Sequence, residues 1–138
     1  MATFVKFQPF VENLAEGVHN LETGALTLAL TNTAPNATDA TLSQITQISY
    51  TNLSSRVLTG VTSSQTSGTY KLNANDLVLT STGGSTGPFR YVVLYNDTPT
   101  SPADPLIGYW DYQSSITLAA GETLTFNIDA TNGILQLS

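Results

Sequence analysis

The residues with chemistry to offer are few. Gly83-Gly84-Ser85-Thr86-Gly87 spells the G-x-S-x-G of a nucleophile elbow, in which a strand-to-helix turn lifts a serine out of a sheet. Here Pro88 and a β-rich run follow where that turn needs a helix, so the stretch reads as a flexible glycine loop. His19 is the single histidine, and any serine triad, acid-base imidazole or two-histidine metal site would have to manage with it alone. Its place near the end of an expected helix suits a residue that caps the last carbonyls or faces water. Asp97, Asp104 and Asp111 surround one loop and offer the oxygen ligands that calcium takes, yet NDTPTSPAD lacks the alternating acids of a dedicated calcium loop. Asp111, flanked by Trp110 and Tyr112, is the one place for a glycosidase carboxylate or a sugar-stacking face; aromatics that fill the core and pair across strands account for it better. No catalytic residue, metal or cofactor is expected.

The elements that carry these residues are short and mostly β. Gly87 to Tyr112 holds two apolar, aromatic-rich runs around a loop of proline and aspartate, and the unbroken YVVLY predicts a central strand covered on both faces. ALTLALT, residues 25–31, alternates strictly and predicts a half-buried strand. Strands are expected over 56–62, 69–73 and 77–82, with Asn75-Asp76 turning tightly between the last two. Further strands are expected over 106–112, 115–118 and 123–128, and Asn132-Gly133 should return the chain into a closing hairpin ending at Leu137. Residues 42–50 are open to either a helical turn or an irregular strand. One helix is expected over 9–21, where Phe10, Val11, Leu14, Val18 and Leu21 recur near a 3.6 period, Pro9 suits the first turn and Gly17 is a stopping point. About eight or nine strands with turns every 8 to 12 residues predict an all-β, antiparallel sandwich or jelly roll, one domain over residues 1–138 with residues 1–21 as an N-terminal arm and helix.

Composition narrows the function classes. The 138 residues suffice for a self-supporting core, and the absence of cysteine excludes disulfides and thiolate chemistry. Net charge is −6 with only Lys6, Arg56, Lys71 and Arg90 positive, too few cations to neutralise a run of phosphates, so neither nucleic acid nor a membrane is an expected partner. No signal peptide or membrane-spanning run is apparent, and synthesis in cytoplasm is expected. Charged residues make up 10% of the chain against about 25% in an average domain, and threonine is the commonest residue. A surface of hydroxyls and amides is cheap to bury, because few ions lose their water.

The opening FVKFQPFVENLAEGVHNLETGALTLALTNTAPN, then GTYKLNANDLVLTS, PFRYVVLYNDT and DPLIGYWDY, with a short C-terminal hairpin, resembles in order and layout a group of small virion structural proteins of tailed bacteriophages. The resemblance implies a capsid decoration or cement protein, a non-enzymatic β-sandwich that acts as a dimer or trimer outside the shell and bridges major capsid subunits. Its expected partners are the major capsid protein and itself, and its expected location is the virion. An interaction surface is expected from the arm and the central loop: Phe4, Lys6, Phe7, Phe10, Asn96, Asp97, Thr98 and Asp104. The alternative is a carbohydrate-binding or host-adhesion module of a tail or fibre, for which Trp110 and Tyr112 should be exposed and stacked.

Overall fold

The computed structural model describes residues 3–138, so Met1 and Ala2 of the expected arm lie outside the described residues. Every strand pair is antiparallel. The largest sheet has the order β1-β7-β6-β2: β1 (Phe4–Lys6), β7 (Leu106–Leu118), β6 (Thr86–Asn96) and β2 (Leu26–Thr31). A second sheet joins β3 (Thr62–Thr66), β4 (Thr69–Asn73) and β9 (Leu135–Leu137), and a third pairs β5 (Leu77–Thr80) with β8 (Thr123–Phe126). Among the described residues the fold is all-β with one α-helix, α1 (Gln8–Ala15).

The apolar run behaves as its composition requires. Val92, Val93 and Leu94 of β6 are buried and stand opposite Trp110, Tyr109 and Gly108 of β7, so the sheet is covered on both faces at its centre. One continuous core then joins this sheet to the smaller ones through Leu72, Leu79, Phe126, Ile134 and Leu135.

Several expectations change. Strand β2 is buried at all six positions rather than on alternate ones. Residues 45–58 fold along its outer edge: Leu28 N–H donates to the Arg56 carbonyl at 2.9 Å, Leu58 N–H to that of Leu26 at 2.9 Å and Ile48 N–H to that of Leu30 at 3.0 Å. Thr27 and Thr31, expected to face water, satisfy their hydroxyls on the carbonyls of Ala25 and Thr33. The expected strand 56–62 is part of this cover, bridging β2 only at Val57, and the regular strand begins at Thr62. Residues 42–50 form one 3₁₀ turn, Leu42–Gln44, followed by irregular chain.

Asn75-Asp76 does not close a hairpin, since β4 and β5 belong to different sheets. Asn75 N–H instead reaches the Thr59 carbonyl, and the Asp76 carboxylate accepts from Ile128 N–H at 2.7 Å. The final hairpin is also absent, because β9 pairs with β4 and not with β8. At that turn the Asp129 carboxylate accepts the N–H groups of Thr131 and Asn132, Gly133 takes φ +72°, and Ile134 N–H donates to the Leu72 carbonyl. Helix α1 stops at Ala15, six residues early, as Gly17 turns to φ +78°. Residues 106–118 form one strand with an irregular step near Gln113, φ +66°, instead of two.

Candidate functional site

His19 follows the end of α1 and is buried, with 7% of its surface exposed, so it neither caps the helix nor faces solvent. Its ring lies 5.3 Å from that of Phe10, and its Nδ1 lies 3.2 Å from the Asn96 amide nitrogen. With Nδ1 accepting from that amide, the proton of the neutral ring sits on Nε2, which is buried without a partner. Burial disfavours the cation and lowers the pKa from 6.5 to about 4, so the ring is neutral at pH 7. No carboxylate orients it, so it lacks the third member of a triad. The glycine loop is likewise occupied with itself: the Ser81 hydroxyl donates to the Gly84 carbonyl at 2.7 Å and lies 2.8 Å from the Thr86 hydroxyl, while Ser85 is exposed and β6 follows directly.

Asp111 separates from Asp97 and Asp104, which stay neighbours. Asp111 receives a two-pronged hydrogen bond from Arg90, at 2.8 and 3.0 Å, and accepts from Gln113 N–H at 2.6 Å. The Arg90 hydrogen bond is the main cause that holds its pKa below the usual carboxylate range. Asp104 is half-buried at φ +49°, and burial first, then the neighbouring Asp97 carboxylate, raises its pKa. Among the described residues no group of three acids, histidines or cysteines is placed to hold a metal.

The aromatic cluster has the clearest shape. Trp110 is only 4% exposed: the Phe4 ring lies 4.9 Å from it on one side and the Phe126 ring 4.8 Å on the other, edge to face. The Phe4 ring occupies the space a side chain on Gly108 would fill. Beside Trp110 runs an open groove of about 550 Å³, lined by Tyr112, Ile116, Leu124, Thr125, Phe126 and Asn127. Trp110 therefore forms part of its wall and offers no free face for stacking. Tyr112 is half-buried there, and desolvation raises its phenol pKa.

Comparison with protein-family models, curated proteins and solved structures finds no match.

The expected interaction residues fall into two groups. Phe7 and Phe10, 0% and 1% exposed, and Asn96 at 1% belong to the interior and are not available to a partner. Their burial has a plain cause: the arm is folded down as β1 and α1, Phe7 N–H donates to the Ile107 carbonyl, and Asn96 ties His19 to the N–H of Thr98. Lys6, Asp97 and Thr98 are exposed, and Phe4 and Asp104 are half-exposed. Thr98 also accepts the Ala25 N–H at 2.8 Å, fixing this loop to the start of β2.

The largest feature missed at the sequence level is the β3–β4 hairpin. Ser67 and Gly68, with φ of +51° and +85°, make the two-residue turn whose twist suits paired strands. A Ser-Gly pair between two threonine-rich runs was the available signal. The outward face of this sheet carries Thr62, Ser64, Thr66, Thr69 and Gln136, with Lys71 its one formal charge among the residues of β3, β4 and β9.

Proposed function

We propose that this chain is a non-enzymatic structural subunit of a tailed-phage virion, decorating or cementing the outside of the capsid by bridging major capsid subunits. In this reading the two smaller sheets lie over the four-stranded one as a β-sandwich. The observation that carries it is the hydroxyl-rich outward face of the β3–β4–β9 sheet together with the exposed β3 edge. Such a surface loses little hydration energy when covered, and modest contacts repeated over many symmetric positions sum to firm attachment. The exposed Lys6, Asp97 and Thr98 supply polar contacts at another part of the surface.

The test is co-sedimentation of the purified protein with capsids of its own virus stripped of it, counting bound copies per particle. Saturation at a high, symmetry-related number supports decoration; binding of a few copies at a vertex, or none, overturns it. The groove beside Tyr112 favours a second reading, a carbohydrate-binding or host-adhesion module, because its largely apolar lining with Thr125 and Asn127 among it suits one sugar unit. Titration with host-surface glycans, read by the emission of Trp110, separates the two.

A further inference from the structure

We propose that strand β3 is a self-pairing edge, joining a second copy of this chain antiparallel about a two-fold axis at Ser64 and so doubling the three-stranded sheet across two subunits. The pairing deepens the reading of the chain as an assembly subunit and rests on it for its purpose, but not for its test.

The argument begins with the backbone. Strand β3 pairs with β4 in unbroken register from Thr62↔Asn73 to Thr66↔Thr69, and the order β3-β4-β9 leaves it at the sheet's margin. Across a two-residue turn, Thr66 and Thr69 form a hydrogen-bonded pair, and the bonds alternate from there. Ser63 and Gln65 therefore turn their N–H and C=O groups outward, where no backbone partner among the described residues meets them. With the axis at Ser64, Ser63 of each copy faces Gln65 of the other, and both outward residues exchange N–H···O=C bonds.

Charge decides the occupant. Sheet margins are commonly protected by lysine, proline or a bulge, and β3 has none: Thr-Ser-Ser-Gln-Thr is regular, and no charged residue occurs from Val57 to Tyr70. An isologous contact brings each residue near its own symmetry mate, so a chain of net charge −6 can meet itself closely only where it is neutral. Charges do lie beside the strand: Lys71 stands opposite Ser64 on β4, and Glu22 shares a hollow with Ser63. The exposed edge strand of the largest sheet is different in kind, since β1 carries Lys6 and the β2 side is covered by residues 45–58.

The variant Ser64→Glu tests this without threatening the fold. The new carboxylate lies opposite Lys71 of its own chain, a favourable cross-strand pair, but meets its like across the axis. Sedimentation velocity of the wild type should show a monomer–dimer equilibrium between about 10 µM and 1 mM, weak because a short strand pair buries less than a standard interface. Ser64→Glu should weaken it at least about tenfold, and an equimolar mixture with Ser64→Lys should restore a mixed dimer. In the wild type, amide exchange at Ser63 and Gln65 should slow as concentration rises. A wild type that stays monomeric to about 1 mM, or a dimer that Ser64→Glu leaves intact, overturns the proposal. Because no capsid is present, failure here leaves decoration standing, and failure of capsid binding leaves the dimer standing.

Discussion

The perturbation with the sharpest expected readout is acidification, acting on His19. The folded protein holds this imidazole at about 4 against 6.5 when it is free. A lowered histidine pKa means that the native state favours the neutral ring, so its contribution is fully present above pH 6.5, falls as pH drops through that value, and levels off below about 4. At about 1.4 kcal/mol per pH unit, the difference amounts to roughly 3 kcal/mol at the acid limit. Between pH 7 and pH 5 the linkage relation gives a loss of about 2 kcal/mol, or roughly 8 °C in Tm for a domain of this size.

The physical source is the loss of hydration on burial, without an acid to compensate it. Protonation at Nδ1 would also place a donor against the Asn96 amide, which must then turn its oxygen inward or break the contact. Other groups act elsewhere or with the opposite sign. Asp111 and Asp129 are held low and lose their contribution only in more acidic solution, whereas the raised Asp104 favours the fold as pH falls. Urea or thermal melts of the wild type and His19→Gln from pH 4 to 7.5 provide the assay, with an NMR titration of the imidazole alongside. The wild type should lose stability across this window and His19→Gln should not. Parallel pH profiles for the two proteins, or an imidazole that titrates near 6.5, would refute the reasoning.

Phe4→Ala should uncover the indole of Trp110, the only tryptophan, shifting its emission to the red and lowering stability by about 1–3 kcal/mol in chemical denaturation, since Phe4 is half-exposed at the start. Gly133→Ala should destabilise by more than the roughly 1 kcal/mol of an unfavourable φ alone, because its added methyl would meet the Leu72 carbonyl as well; thermal melting measures it, and a neutral result would refute the tight turn.

How much of this could be read from residues alone depended on whether the relevant neighbour was near in sequence. The central strands were readable because Tyr91 to Tyr95 state their own burial through unbroken apolarity, and α1 was readable from its spacing and from Pro9. Burial of Thr27 and Thr31 was not, because the cover comes from residues 45–58 and alternation reports only the strand's own pattern. The Asn132-Gly133 turn was recognised, but the destination of the strand after it was set by Leu72, a contact no local signal encodes. The same limit applied to Phe7 and Phe10, whose aromatic character fits a sticky arm as well as a core until the arm is seen folded onto β7. Asp97, Asp104 and Asp111 read as one cluster because they share a loop, but Asp111 belongs to Arg90 across the sheet.

The strand pairings also constrain the order of events as the chain folds. Phe4 waits for Trp110, β2 for β6, β5 for β8, and Leu72 for Leu135. Only the β3–β4 hairpin and the β6–β7 pair close between consecutive strands. A nascent chain that has emerged as far as β5 can bury almost none of its apolar strands, and closing such long loops before any reward makes folding slow, in the range of milliseconds to seconds. Completion therefore waits until β7 and β9 have emerged, because β1 and β4 have no other partners to take up those pairings. Until then its neutral strand edges are exposed to every other copy being made, and the rate of folding sets how densely the protein can be produced before wrong partners are found.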